Sequence, residues 1–166
     1  MARRCFFSFH YEPDNSRAAQ VRNMGMVDGN HPVSDNSWES ITRGGDSAIR
    51  KWIQDQLYRR SCTVVLVGTN TAGRRWIDYE IIESWNRGMG VVGIHIHGLK
   101  NLDRRISRRG PNPFAHIGYG ASDTKLSSIV KCYNPQGTNS RDRYAWIKKY
   151  LAGAVEEAIR IRNNHY

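Results

Sequence analysis

The chain reads as an α/β protein in which a five-stranded parallel sheet, ordered 2-1-3-4-5, is flanked by helices, and three observations predict it. Apolar runs at residues 4 to 10, 63 to 68 and 90 to 96 lack polar alternation, as strands covered on both faces do. Between them lie stretches whose apolar residues recur at helical spacing. The strict alternation of the two signals indicates right-handed crossovers, which leave few strand orders other than this one.

Each element has its own signal. After the first strand and Glu12-Pro13, Asp14 or Asn15 can cap a helix through Met24, with Ala18, Val21 and Met24 inward and Gly25 as its stop. A short second strand is expected near Pro32-Val33-Ser34. Residues 35 to 45 are polar and end in glycine, so they predict an exposed loop with a turn of helix at 38 to 41. Ile49, Trp52, Ile53 and Leu57 then mark a helix that ends by Arg60, before the third strand at 63 to 68. The next helix runs from 75 to 86 and stops at Gly88, and 90 to 96 is the fourth strand. Residues 98 to 126, rich in glycine, proline and arginine, form a long excursion of the kind that often carries function in compact domains. The fifth strand is expected at 128 to 133. A closing helix follows over 142 to 162, with Tyr144, Ile147, Leu151, Ala154, Val155 and Ala158 inward.

Composition bounds the function. At 166 residues the chain predicts a single domain spanning 1 to 166, large enough for its own core. No apolar run approaches a membrane span, and the amino terminus enters a strand at once without a cleavable signal, so a cytoplasmic protein with no membrane partner is expected. Cys5, Cys62 and Cys132 are too dispersed for a zinc pattern and odd in number for a disulfide framework, which leaves buried thiols. The net charge of +10 is spread over scattered basic pairs, with one denser cluster at Arg104, Arg105, Arg108 and Arg109. No nucleic-acid-binding motif accompanies it, so nucleic acid is not the expected partner; the charge also suits a polyanionic small molecule such as a dinucleotide. Neither Gly-x-Gly-x-x-Gly nor a phosphate-loop lysine motif is present, and hydride transfer and nucleotide triphosphate hydrolysis lose support.

The best candidate site lies on the helix after the third strand. Trp76 and Glu80 are four residues apart and share one flank, next to the carboxyl edge of the sheet where open α/β folds bind ligands. Glu80 borders the Ile77 and Ile81 stripe and can lean into a cleft; by spacing alone it also fits an ordinary surface glutamate. Trp76 fits either ring stacking on a ligand or a lid over the core. Ser8, Phe9 and His10 end the first strand at the same edge, where Phe9 can equally be core and His10 surface. Trp38, in an exposed loop, needs a ligand, a second subunit or the domain's own surface to cover it. His95 and His97 lie two apart on a strand without a third ligand at useful spacing, so no metal site is expected and both read as structural.

In order along the chain, these boxes resemble the TIR domain. Phe6-Phe7-Ser8-Phe9-His10 resembles the family's opening strand, and Arg43-Gly44-Gly45-Asp46 with Ile49 and Ile53 its entry to the next helix. Gly68-Thr69-Asn70 is similar to its small-residue turn, and Trp76-Ile77-Asp78-Tyr79-Glu80-Ile81 to its Trp-x-x-x-Glu-hydrophobic helix. Ser8-Phe9-His10-Tyr11, Gly93-Ile94-His95-Ile96 and Gly110-Pro111-Asn112-Pro113-Phe114 are most similar to the bacterial TIR-like subfamily of Thoeris antiphage systems. The resemblance implies a flavodoxin-like fold and cleavage of the nicotinamide bond of NAD, which is a substrate and leaves no cofactor to bind. It also implies an ADP-ribose-based, cyclic signal that activates a downstream effector protein, and a homo-oligomer.

Glu80 resembles the family's catalytic glutamate in position, and Ser8, Phe9, His10, Trp38, Thr69 and Trp76 are the expected substrate-binding residues. The chain departs from the pattern at His10, where many relatives carry Arg or Gly, in the loop after Asp35, and in the length of the 98 to 126 segment. Two rivals stand beside the enzyme: a non-catalytic TIR adaptor, and a nucleoside deoxyribosyltransferase-like enzyme with a glutamate nucleophile.

Overall fold

The computed structural model describes residues 2 to 30, 40 to 118 and 123 to 165. Strand β1 (Arg4–Ser8) leads into α1 (Tyr11–Asn23) and β2 (Asp28–Gly29). Then come α2 (Gly45–Leu57), β3 (Cys62–Val67), α3 (Arg75–Asn86), β4 (Gly90–His95), β5 (Cys132–Tyr133) and α4 (Ser140–Asn163). The sheet has five strands in the order β2-β1-β3-β4-β5, and every pairing is parallel. This is the five-stranded parallel α/β architecture, in the strand order, that the sequence predicts.

Side-chain alternation divides the core. Cys5, Phe7, Val64, Leu66, Val92 and Ile94 point to one face and pack against Ala18 and Val21 of α1 and Ile147, Leu151 and Val155 of α4. On the opposite face Phe6 meets Ile49, Ile53 and Leu57 of α2, while Val65, Val67 and Val91 meet Ile77, Ile81 and Trp85 of α3. Each such Ile or Leu, when fully buried, contributes about 1.5 to 3 kcal/mol. Slipping a strand by one residue would exchange its two faces, so this pattern holds the register.

Three elements differ from expectation. Helix α1 starts at Tyr11, before the expected caps Asp14 and Asn15. Pro13 falls in its first turn, where the missing N–H has no helical acceptor to lose, and the helix can begin upstream of it. Asp14 is therefore an inward residue and not a cap. The described second strand is Asp28–Gly29, whereas the expected Pro32-Val33-Ser34 lies outside the described residues. The fifth strand shrinks to Cys132–Tyr133, because Leu126–Ser128 closes a 3-10 turn that sends Leu126 and Val130 into the core beneath the sheet face.

The excursion after β4 is packed, not loose. Leu99 is enclosed with the α1 and α4 face, and Phe114 and Ile117 with the α3 face. A buried arginine pins its first half. The Arg17 guanidinium donates to the Leu99 carbonyl at 2.8 Å, the Arg105 carbonyl at 3.0 Å, the Ser107 hydroxyl at 2.8 Å and the Asp14 carboxylate at 3.1 Å. Among the described residues no helix is long and apolar enough to cross a membrane.

Removing one partner from a buried charge pair strands the other, at a cost of about 3 to 5 kcal/mol. Arg17→Met should destabilise the fold by that order in chemical denaturation. A loss under about 1 kcal/mol would mean that the excursion is held by its apolar contacts alone.

Candidate functional site

The parity that puts Phe6 against α2 carries Ser8, two residues on, to the same face at the carboxyl end of β1. There it meets α3. The Ser8 hydroxyl donates to Glu80 Oε1 at 2.7 Å, and Glu80 is 8% exposed. Helix geometry explains its depth: Glu80 lies between Ile77, Ile81 and Ser84, all buried, on the stripe that α3 presents to the sheet. Its backbone carbonyl accepts from the Ser84 hydroxyl at 2.6 Å, and Ser84 also bonds Thr63 of β3 at 2.6 Å, which ties this turn of the helix to the sheet. The reading of Glu80 as an ordinary surface glutamate is thereby corrected.

Burial pushes the Glu80 carboxyl up to about 8, against the opposing pull of the Ser8 hydrogen bond. At neutral pH the acid form is favoured while the site is empty. A cation placed beside it stabilises the carboxylate and draws the proton off. The arrangement suits charge development in a substrate, with a group poised to hold or release a proton near neutrality.

The other predicted residues divide. Phe9 has the opposite parity to Ser8 and packs with the α1 and α4 core, its ring stacked with Tyr11 at 6.3 Å between centroids. Strand alternation thus removes Phe9 from the Ser8 side. His10 caps α1 by its backbone, and its Nδ1 is buried without a hydrogen-bond partner among the described residues. Burial and then the Arg74 charge hold this imidazole below its usual pKa, while Asp14 and Glu12 oppose them. Thr69 is engaged with the excursion, its hydroxyl donating to the Arg108 carbonyl at 2.5 Å. Trp38 lies outside the described residues.

Trp76 is half-buried against the cluster of Phe6, Ile49, Ile53 and Leu57, with the Tyr79 ring edge-on at 5.7 Å. The Arg75 guanidinium covers it, 4.6 Å from the ring centroid, and is itself ion-paired to Asp46 at 2.6 Å. The core-lid role is therefore visible. Ligand stacking on the covered face would first require Arg75 to move.

Sequence reasoning gave no site role to several residues that the fold brings to this edge. Asp14 packs directly on β3's end, where a β-carbon on Gly68 would lie 2.0 Å from its Oδ2. Burial raises its pKa, against the pull of Arg17. A signal for Arg17 was available: it stands on the same helical stripe as Val21 and Met24, a charge where an apolar residue belongs. His95 ends β4 buried, its Nε2 3.6 Å from the Cys132 thiol. Burial, then Arg109 and His97, lower His95 to about 4. Burial pushes the Cys132 thiol up to about 12, so the pair is neutral and not an activated nucleophile. Among the described residues no three His, Cys, Asp or Glu side chains are grouped to hold a metal ion.

Titrating Glu80 by carbon NMR of its carboxyl in the unliganded protein should give a midpoint near 8. Ser8→Ala removes the bond that favours the charged form and should move that midpoint upward. A midpoint in the ordinary carboxylate range would mean that Glu80 is solvated.

Residues 6 to 101 match the family model for the TIR-like domain of the Thoeris protein ThsB. The span includes the end of β1 from Phe6 on, the Ser8 and Glu80 pair, and β4. A protein of Bacillus cereus (strain MSX-D12) named "Putative cyclic ADP-D-ribose synthase ThsB1" is 40% identical over 124 residues, which cover 72% of this chain and 65% of that protein. The match thus takes in slightly less than two thirds of the relative's length. On these two matches, in a chain with the parallel sheet order described above, the protein belongs to the Thoeris ThsB family of TIR-like domains.

Proposed function

We propose that this chain cleaves the nicotinamide-ribose bond of NAD and turns the ADP-ribose portion into a cyclic signalling nucleotide that activates a partner effector in antiphage defence. The buried Glu80 carboxyl, held by Ser8 at the carboxyl edge of the sheet, carries the proposal. The printed name of the Bacillus cereus relative supports the same chemistry.

The pyridinium of NAD is a cation, and seating it beside Glu80 favours loss of the carboxyl proton. The ribose C1′ to nicotinamide nitrogen bond then breaks. Its electron pair returns to the ring as neutral nicotinamide leaves, and the positive charge passes to the ribose, where the Glu80 carboxylate stabilises it. A nucleophile attacks C1′ to complete the transfer. Water yields ADP-ribose, whereas an adenine nitrogen or a ribose hydroxyl of the same molecule yields a cyclic isomer. The small exposure of Glu80 limits water at the reacting carbon and favours the internal acceptor. When that acceptor is a hydroxyl, its proton must go to a base, and a carboxylate whose acid has a pKa near 8 can receive it.

Glu80→Gln preserves size and removes the charge. Nicotinamide release should fall about a hundredfold, on the order of 3 kcal/mol in the barrier, in a protein that remains folded. Glu83→Gln, one turn away and ion-paired to Arg87 at 3.2 Å on the outer flank, should stay near the parent rate. Undiminished cleavage by folded Glu80→Gln would defeat the mechanism. Mass spectrometry of the product separates ADP-ribose from a cyclic isomer, which is lighter by one water.

The active form is the carboxylate of an acid whose pKa is raised. Consequently kcat/KM for NAD should rise with pH and level off above about 8, where the unliganded enzyme is already ionised. A profile flat from pH 6 to pH 9, roughly one unit or more on either side of that midpoint, would assign the essential group elsewhere.

A further inference from the structure

The basic cluster of the excursion has no part in the chemistry at Glu80, yet the fold carries it to the same edge of the sheet. The Ser107 backbone N–H donates to the His97 carbonyl at 2.8 Å, just past the end of β4. Thr69, just past the end of β3, donates its hydroxyl to the Arg108 carbonyl. At Gly110 the backbones are in direct contact: a β-carbon there would lie 2.2 Å from the Gly68 carbonyl oxygen and 2.6 Å from that of Thr69. Arg109 sits between these two anchors, so its backbone is fixed against the turn after β3.

Its side chain is exposed, and among the described residues the guanidinium has no hydrogen-bond or ion-pair partner. The Arg109 charge nonetheless reaches inward, disfavouring protonation of His95 and His97 at the end of β4. Arg74 does the same to His10 at the end of β1. Among the described residues three carboxylates of this edge are occupied: Asp14 is paired with Arg17, Asp78 with His116, and Glu80 is bonded to Ser8, while Glu12 acts on His10. Among the described residues the edge therefore combines imidazoles held below their usual pKa with an Arg109 guanidinium that no carboxylate pairs. Such a surface is built for an anion.

We propose that Arg109, held over the end of β3 by the Arg108 to Thr69 hydrogen bond and the Gly110 to Gly68 contact, is the binding residue for the diphosphate of the dinucleotide. The inference rests on the reading of Glu80 as the NAD-cleaving group. Glu80 answers the cationic end of NAD, and the two phosphates at its middle need a positive partner at the same edge. A guanidinium can meet phosphate oxygens with two parallel N–H bonds, which an ammonium cannot. Preorganisation by the flanking anchors spares the loop ordering that a free arginine would require.

The test compares Arg109→Ala, Arg109→Lys and, as a control of equal charge loss, Arg160→Ala on the outer end of α4. Arg109→Ala should raise KM for NAD about tenfold or more while kcat stays within about twofold, and Arg109→Lys should recover part of the loss. By calorimetry, ADP-ribose should bind Arg109→Ala about tenfold more weakly, whereas adenosine, which lacks the phosphates, should bind both proteins alike. Arg160→Ala should match the parent in every measurement. An unchanged ADP-ribose affinity in Arg109→Ala overturns the inference, as does an equal loss for adenosine or a parent protein that does not bind ADP-ribose. Failure of the Glu80 reading looks different: the parent would bind ADP-ribose in an Arg109-dependent way and still release no nicotinamide from NAD.

Discussion

The ion pair of Asp14 and Arg17, buried between α1 and the carboxyl end of the sheet, is the constraint on which the upper half of this molecule depends. Arg17 is 2% exposed, and its donors reach three separate stretches of the chain: α1 itself, the turn at Leu99, and the excursion at Arg105 and Ser107. A guanidinium removed from water must have its donors satisfied, because each unpaired one carries a desolvation penalty. The backbone carbonyls of the excursion satisfy them. Its route over the sheet edge is thus held by one arginine together with the packing of Leu99, Phe114 and Ile117, and the Gly110 to Gly68 contact lies along that route. Asp14 supplies the counter-charge from beneath, so close to β3 that only a glycine fits at position 68.

The Ser8 and Glu80 contact depends on the same edge but has the opposite energetic character. A carboxyl buried to 8% exposure with one hydroxyl donor is poorly compensated as an anion, which is why it holds its proton up to about 8. In the unfolded chain the same group ionises in the ordinary range, so its contribution to stability is complete below that range. It is lost progressively as pH rises from that range through about 8, above which the folded carboxyl is ionised too and the loss is complete. A neutral, apolar residue here would make a more stable protein. Retaining a buried acid on the inward stripe of α3 is what the proposed reaction requires, charge stabilisation there being set against stability.

Much of the fold was legible because its signals are local and redundant. Strands β1, β3 and β4 are dense apolar runs, helix α3 ends where Gly88 adopts a positive φ of 80°, and the inward stripe of α4 can be read residue by residue. Strands β2 and β5 carry no comparable signal. Each is two residues long, too short for a period, and exists because a neighbouring strand offers it a hydrogen-bonding edge. The start of α1 was misread because Asp14 has the chemistry of a cap. Its inward orientation follows from Pro13 in the first turn, which a propensity argument places just as readily outside the helix.

The sequence by itself determined the sheet order and the family resemblance, and through that resemblance singled out Glu80 as the candidate site residue, since these follow from periodicity and from motifs spaced along one or two elements. Tertiary structure decided how each neighbour of Glu80 is used. It separated Ser8 from Phe9 by the parity of one strand, occupied a face of Trp76 with Arg75, and brought Arg109 to the end of β3 from forty residues away in the chain. The reason is physical. Burial and electrostatics depend on what lies across the gap, and for Glu80, Arg17 and Arg109 the groups across the gap come from parts of the chain whose distance in sequence carries no information about their distance in space.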